Sequence, residues 1–376
     1  MRQRASRATG VVGFAQSQAL LHGLYNQVGA VQRRISERYG RLVSILSQEQ
    51  RSLLMRGMGA FAAVLVVLLV VGTFADYQIA QAIYTPDNPL VIFVSSLGLF
   101  PLAYPVCLFL GVLAQRSLAS QKSRVLCIAG VVLCVALAML FGALITRAVL
   151  SIRDGFGGVV GYEPSNSVRM GIGAVIGVAL CALGFNAGKA NDAKDLARRM
   201  LMVVVVLVAS FLLVEVVKNL MSRPRPRLLF AGYEGIEFCP WYNYFSGAED
   251  FMATYDIEKD AFKSFPSGHS LQAAALLAAF YGLSLVYPGL RQKLGIILAV
   301  EIVFALVIMS CRMILGAHFL SDVSMGAVVS VVAFFIIMAL HKRPPQRSQL
   351  RPDEGSPQLE GSDERPAEKK EEAAVQ

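Results

Sequence analysis

The sequence has little charge for its length. Only 16% of its 376 residues are Asp, Glu, Lys or Arg, whereas 55% are hydrophobic. Soluble domains carry about 25% charged residues, because a surface in water needs them. The mean hydropathy of +0.55 agrees with this deficit. The composition therefore argues against a soluble protein and favours a chain that lies largely in lipid.

Three other patterns are missing. The six cysteines have no C-x-x-C spacing, so no disulfide framework is predicted. The N-terminus does not have the pattern of a signal peptide, because its first ten residues are basic and polar and no uninterrupted apolar segment follows before residue 59. The net charge is +9, but the Lys and Arg residues form no basic stripe with interleaved aromatic residues. Nucleic acid is therefore not a predicted partner.

Long apolar segments are abundant. About 20 residues cross the ~30 Å hydrocarbon core of a membrane as a helix. Eight segments approach that length, namely 58–80, 90–113, 125–147, 170–188, 200–220, 270–287, 294–311 and 319–340. The fourth and seventh are short, and Pro101 and Pro105 interrupt the second. The sequence predicts an all-α, polytopic membrane helix bundle of about eight spans.

The distribution of cations predicts the orientation of this bundle. Cytoplasmic segments of membrane proteins are enriched in Lys and Arg. With eight spans, 25 of the 35 Lys and Arg residues fall on the face that holds both chain ends, and ten fall on the other. We therefore expect both termini in the cytoplasm and the long loop 221–266 on the opposite, extracytoplasmic side.

Charged and polar residues, together with neighbouring Pro, Gly and Cys residues, lie at one end of the last four spans. The 41 residues between His269 and Cys311 accommodate two spans and a tight turn, so these ends are expected at one membrane face. The residues concerned are Lys218, Arg225, Pro226, Pro266, Ser267, Gly268, His269, Cys311, Arg312, His318 and Asp322.

The charge of this group predicts a phosphate ligand. Lys218, Arg225 and Arg312 would repel one another without an anion, and the arginine fork matches phosphate oxygens. Gly268, at the start of a helix, would let the ligand approach backbone N–H groups. No metal or other cofactor is predicted, because metal-ligand spacing is missing and the cations would oppose a bound metal ion.

Two histidines and one carboxylate complete a reaction scheme. His318 and Asp322 are four residues apart on one helix face, so the carboxylate is expected to bond one ring nitrogen and leave the other as a nucleophile. Asp322 would also stabilise the positive charge on the ring, and His269 would protonate the leaving alcohol. Water would then hydrolyse the phosphohistidine.

These residues resemble the three-part signature of the type 2 phosphatidic acid phosphatase superfamily. The three parts are Lys218 with Arg225-Pro226, then Pro266-Ser267-Gly268-His269, and then Arg312 with His318 and Asp322. The resemblance covers roughly residues 170–340, the last five spans. It implies the same catalytic roles for His269, His318 and Asp322. The phosphate ligands that it implies are Lys218, Arg225, Arg312, Ser267 and Gly268.

Two features depart from that family. Cys311 occupies a position where the family usually has Ser, and a thiol is a weaker hydrogen-bond donor than a hydroxyl. The chain also has two more spans than the family's usual six. A purely structural alternative is that the cations snorkel to the membrane surface and the histidines pack there. This alternative does not explain why all three blocks follow the order of the family signature.

Three further observations concern residues outside the three blocks. Glu215 precedes Lys218 by three residues, which indicates an ion pair that positions the lysine. Glu301 lies inside a span with no partner that the sequence identifies, so a structural and a functional role are both open. Trp241, Tyr242 and nearby aromatic residues of the long loop either dip into the lipid headgroups or pack within the loop.

The sequence thus divides into four parts. Residues 1–57 are a cytoplasmic segment, either an amphipathic helix on the membrane surface or a plain helix; 58–168 are N-terminal spans. Residues 169–341 form the phosphatase core, and 342–376 a disordered cytoplasmic tail. We expect a multi-pass protein, of the plasma membrane in a prokaryote, that hydrolyses a lipid phosphomonoester or pyrophosphate.

The substrate and the acceptor are left open. Phosphatidate-like lipids and polyprenyl pyrophosphate both suit the site, and the sequence does not indicate an oligomeric state. A phosphotransferase acting on a lipid acceptor would use the same residues. A membrane protein that binds lipid phosphate without catalysis is the alternative from a different class.

Overall fold

The computed structural model describes residues 46–120, 123–151, 155–191 and 195–341, and these residues form helices and loops with no strand among them. The helices are α1 (Gln48–Ile83), α2 (Pro89–Leu97), α3 (Phe100–Leu118), α4 (Arg124–Val149), α5 (Gly157–Val160), α6 (Asn166–Lys189), α7 (Leu196–Met221), α8 (Pro226–Leu229), α9 (Ala248–Tyr255), α10 (Gly268–Ala273), α11 (Leu276–Val286), α12 (Leu294–Ile314) and α13 (Leu320–Leu340). Two 3-10 helices lie at Lys259–Phe262 and Pro288–Lys293.

The predicted all-α membrane bundle is confirmed. Within the described ranges, eight helical segments are long and apolar enough to cross a membrane. They are Gln48–Ile83, Pro89–Leu118, Arg124–Val149, Asn166–Lys189, Leu196–Leu229, Gly268–Val286, Pro288–Ile314 and Leu320–Leu340. Each one contains or overlaps the corresponding predicted span, so the expected count of eight also holds.

Helix boundaries differ from the prediction at the first span. It begins at Gln48, ten residues before the predicted start, because Ser47 and Gln50 form a reciprocal capping box there. The 36 residues of α1 extend over about 54 Å at 1.5 Å per residue, more than the hydrocarbon core requires. The predicted surface helix and the C-terminal tail involve residues 1–45 and 342–376, which lie outside the described residues.

Glycines bring α3, α4 and α6 into backbone contact. A side chain at Gly111 would clash with the carbonyl group of Cys181, and one at Gly177 with that of Ala138. Small residues at such crossings let membrane helices approach closely. These three helices form one side of the bundle, and α1 packs against α12 and α13 on another.

The sixth span is broken at Ala274–Ala275, between α10 and α11. Glu301, on α12 and fully buried, accepts a hydrogen bond from the backbone N–H of Leu277 at 2.6 Å. This carboxyl oxygen therefore satisfies a donor that the break would leave without a helical partner. This contact supplies the structural role that the sequence left open for Glu301.

The segment between α7 and α10 forms a small apolar unit of its own at one end of the bundle. Its core consists of Leu228, Ile236, Ala248, Ala261 and Phe262. The indole N–H of Trp241 donates to the hydroxyl of Thr73 on α1 at 2.9 Å, and its ring stacks on Phe265. Trp241 is therefore packed against the first span, whereas Tyr242 and Tyr244 are exposed.

Candidate active site

The residues that the three sequence blocks contribute meet at one cavity of about 820 Å³. Lys218 comes from the last turn of α7, and Arg225 from the segment that follows it. Arg312 comes from the last turn of α12 and His318 from the short turn before α13. From the blocks, the cavity is lined by Lys218, Arg225, Gly268, His269, Arg312 and His318.

His318 is held in one defined orientation. Its Nδ1 lies 2.6 Å from the backbone carbonyl oxygen of Ser264, and the histidine is 1% exposed. A carbonyl oxygen only accepts, so Nδ1 carries the proton and the lone pair of a neutral ring is on Nε2. Nε2 is thus the unprotonated nitrogen of the ring.

The surroundings keep this ring neutral. Burial is the largest effect that lowers the pKa of His318 well below its usual value of 6.5, and the nearby cations Arg225, Arg312 and Lys218 lower it further. Both effects disfavour the charged imidazolium. At neutral pH the ring of His318 is therefore neutral, with a lone pair on Nε2.

The expected bond between Asp322 and His318 is not present, which corrects the sequence-based scheme. Asp322 Oδ2 lies 4.0 Å from His318 Nδ1, because the carbonyl group of Ser264 occupies the bonding position. Asp322 instead accepts from the hydroxyl of Ser264 at 2.5 Å and from the N–H of Phe319 at 2.7 Å. The carboxylate thus lies near the ring without a hydrogen bond to it.

The three cations are each fixed by a neighbouring group. Lys218 Nζ pairs with Glu215 Oε1 at 2.9 Å, so the structure contains the ion pair expected from their spacing. Arg225 is 4% exposed and pairs with Asp260 at 2.9 Å. All three side chains line the cavity.

Arg312 and Cys311 end the same helix. The Nη1 of Arg312 donates to the hydroxyl of Ser95, on α2, at 3.3 Å. This contact shows that the second span, which the family signature does not include, supports a residue of the site. Cys311, which replaces the usual Ser of the family, is buried.

The second block surrounds the start of α10. Ser267 is the N-cap of this helix and its hydroxyl oxygen accepts from the N–H of Ser270 at 3.3 Å. A side chain at Gly268 would lie 3.0 Å from Lys218 Nζ, so its absence leaves room for the lysine. Pro266 directly precedes the cap, and Pro226 is the first residue of α8. Of the two predicted backbone ligands, Gly268 lines the cavity and Ser267 is fully buried.

Helices α3 and α4, which precede the signature, also contribute to the cavity wall, together with α7. The apolar part of this wall comes from α3, α4 and α7 and includes Leu102, Phe141, Leu144 and Phe211. Arg147 and Arg169 also line the cavity. The cavity is therefore lined by both cationic and apolar side chains.

Three residues of the site were missed by sequence analysis. Ser264 holds both His318 and Asp322, and Asp260 holds Arg225. Arg223 forms a 2.5 Å ion pair with Asp322. Ser264 and Arg223 stand close to the recognised blocks, but only the folded chain shows their contacts. Among the described residues, no group of three or more His, Cys, Asp or Glu side chains is placed to hold a metal ion.

The helix bundle and this cavity define a multi-pass membrane protein with a cationic site that contains two histidines. The PAP2 superfamily model matches residues 199–345, so the C-terminal part of the chain carries a PAP2 domain. The match confirms the family resemblance of the three blocks. Comparisons with curated proteins and with solved structures returned no match. Because the superfamily contains phosphatases, the domain supports a phosphatase-type enzyme and fits a lipid phosphatase.

Proposed function

We propose that the protein hydrolyses a lipid phosphomonoester or pyrophosphate through a phosphohistidine on His318. The observation that carries this proposal is the orientation of the ring. Nδ1 is fixed on the carbonyl oxygen of Ser264, which leaves Nε2 with a lone pair inside a cavity lined by three cations. A neutral nucleophile beside a cationic anion site suits attack on a phosphate.

In the first step, Nε2 of His318 forms a bond to phosphorus and the bond from phosphorus to the leaving oxygen breaks. His269, protonated, gives its proton to that oxygen, so the lipid leaves as an alcohol or as a monophosphate. The ring gains positive charge as the bond forms. Asp322, 4.0 Å from Nδ1, stabilises that charge.

In the second step, a water oxygen attacks the phosphorus of the phosphohistidine. The bond to Nε2 breaks, and the water gives a proton to the now neutral His269. Inorganic phosphate leaves, and both histidines return to their starting states. Lys218, Arg225 and Arg312 offset the charge of the phosphoryl oxygens in both steps.

The cavity supports a lipid as substrate. Its apolar wall of Leu102, Phe141, Leu144 and Phe211 adjoins the cations, so a chain and a phosphate can be bound in one molecule. Phosphatidate-like lipids and polyprenyl pyrophosphate share this chemistry. The cation distribution along the sequence supports a position of the site on the extracytoplasmic face.

The test uses a substitution that preserves the contact of His318 with Ser264. In His318→Asn, the side-chain amide can still donate to the carbonyl oxygen, but no atom takes the place of Nε2. Purified wild-type protein in detergent, with a chelator present, is expected to release phosphate from a panel of lipid phosphates. His318→Asn is expected to lower kcat by about three orders of magnitude or more, because no nucleophile remains.

The matched control is His341, a histidine that lies directly after α13. Its Nδ1 bonds the hydroxyl of Tyr281 at 2.8 Å, and it follows the opposite end of α13 from the site. His341→Asn makes the same chemical change and should keep kcat within about twofold of wild type. Equal and slow phosphate release by wild type and His318→Asn would refute the proposed enzymatic function. The remaining function would then be the binding of a lipid phosphate without catalysis.

A further inference from the structure

A buried charge cluster joins the first span to the active site. Arg223 lies between two carboxylates, with Nη2 2.9 Å from Asp76 Oδ2 and Nη1 2.5 Å from Asp322 Oδ1. Asp76 belongs to α1, and all three side chains are 2% exposed or less. Buried charges of this kind are tolerated when each is paired and hydrogen-bonded. The cluster is therefore a single unit in which each charge depends on the others.

Asp76 holds both Arg223 and the start of the helix that carries Asp322. Its Oδ1 accepts from the backbone N–H of Ser321 at 2.9 Å, and its Oδ2 accepts from the hydroxyl of Ser321 as well as from Arg223. The guanidinium also donates to the carbonyl oxygen of Cys239 at 2.8 Å and lies over the ring of Phe319. These contacts leave Arg223 a single position.

The backbone of α1 is shaped to allow this contact. A side chain at Gly72 would lie 2.7 Å from the backbone nitrogen of Ser321 and 2.8 Å from Asp76 Oδ1. The bare glycine lets α1 and the first turn of α13 touch at the point where Asp76 reaches across. The close approach and the carboxylate therefore belong to one arrangement.

Asp76 lies outside the wall of the site cavity and outside the PAP2 domain. The site cavity is lined neither by Asp76 nor by Arg223, and the PAP2 match begins at residue 199. A residue in this position acts on the reaction only through others. The cluster of two carboxylates and one guanidinium has a net charge of −1, and Asp322 lies 4.0 Å from His318 Nδ1.

We propose that Asp76 is a positioning residue for the phosphoryl transfer, an inference that rests on the proposed function. By holding Arg223, it shares the guanidinium with Asp322 and leaves the charge of Asp322 available to the ring of His318. Without Asp76, Arg223 is paired with Asp322 alone, and the positive charge that develops on His318 is less well stabilised.

The principal variant is Asp76→Asn, which keeps the size of the side chain and removes its charge. It is expected to lower kcat for lipid phosphate about tenfold or more. KM should stay within about twofold, because Asp76 does not line the cavity. The control is Thr73→Val, which removes the Trp241 hydrogen bond from the same helix and should leave kcat within about twofold of wild type.

A double-mutant cycle separates positioning from a merely structural role. Arg223→Gln removes the group through which Asp76 acts on Asp322, so Asp76→Asn should reduce kcat much less in that background than in wild type. An equal reduction in both backgrounds would overturn the proposal. A raised KM with unchanged kcat, or an equal loss in Thr73→Val, would overturn it too.

Folding and the proposed function are checked separately. If Asp76→Asn does not give folded protein, Ser321→Ala removes one contact to Asp76 and one to Arg223 without a change of charge. It should lower kcat with KM unchanged, and a wild-type kcat would overturn the proposal. Wild-type protein that releases no phosphate refutes the proposed function itself; active wild type with an equally active Asp76→Asn refutes only the role of Asp76.

Discussion

At the scale of single residues, the site depends on a backbone carbonyl as much as on side chains. The carbonyl oxygen of Ser264 selects the tautomer of His318, and the hydroxyl of Ser264 donates to Asp322. One residue thus orients both the proposed nucleophile and the carboxylate beside it. This arrangement separates two tasks that the sequence alone assigned to Asp322, which are to fix the ring and to stabilise its charge.

The cations around His318 predict a dependence of activity on pH. The pKa of His318 lies well below 6.5 because of burial and, next, because of Arg225. The ring must be neutral to attack, so kcat/KM should hold as pH falls past 6.5 and decline only near the lowered pKa. Arg225→Gln removes a positive charge, which raises that pKa and should move the decline to higher pH. KM should also rise, by about tenfold, because a phosphate contact is lost.

The control for this pH profile is Arg227→Gln. Arg227 also lies near Asp260, at 3.6 Å, but does not line the cavity. Its variant should give the wild-type profile, and the comparison on one substrate cancels the substrate's own ionisation. An unmoved decline in Arg225→Gln would show that the acid limb does not belong to His318.

The residues that sequence analysis found and those that it missed differ in kind. His269, Arg312 and His318 are recognisable because their types and spacing repeat a known signature. Asp76 and Arg223 are 147 residues apart in the sequence, and no spacing rule relates them. Their contact exists because the folded chain places the segment after α7 beside α1, which depends on tertiary structure.

At the scale of elements, the broken sixth span is stabilised by a side chain from another helix. A membrane interior offers no water to backbone donors, so an N–H exposed by a break needs a protein acceptor. Glu301 supplies it to Leu277 from α12. The sequence predicted the span as one segment, 270–287, because its apolar pattern continues through the alanines where the helix breaks.

Substitution of Glu301 tests this role. Glu301→Leu leaves the N–H of Leu277 without that acceptor, which should cost about 1–3 kcal/mol of stability and lower the melting temperature. Glu301→Gln keeps an oxygen acceptor and should lie closer to wild type. Thermal unfolding in detergent, followed by circular dichroism, measures both. A Glu301→Leu variant as stable as wild type would exclude the capping role.

At the scale of the whole molecule, the two halves of the chain contribute different parts of one cavity. The three cations of the signature and the two histidines come from the PAP2 domain, whereas Leu102, Phe141 and Leu144, as well as the cations Arg147 and Arg169, come from spans that precede residue 199. Ser95 of α2 also supports Arg312. The early spans therefore belong to the architecture of the site, and their apolar composition alone predicted only that they cross the membrane.

The orientation of this assembly can be measured because the chain's own thiols are poorly accessible. Five of the six cysteines are buried and Cys134 is partly buried. Tyr244→Cys, at a side chain that is 63% exposed in the loop beside the site, should react with an impermeant thiol reagent added to intact cells. Gln292→Cys, between α11 and α12, lies at the other end of the bundle and should react only after lysis. Because the two positions are separated by an odd number of spans, they must lie on opposite sides, and the reverse labelling pattern would make a cytoplasmic lipid pool the substrate.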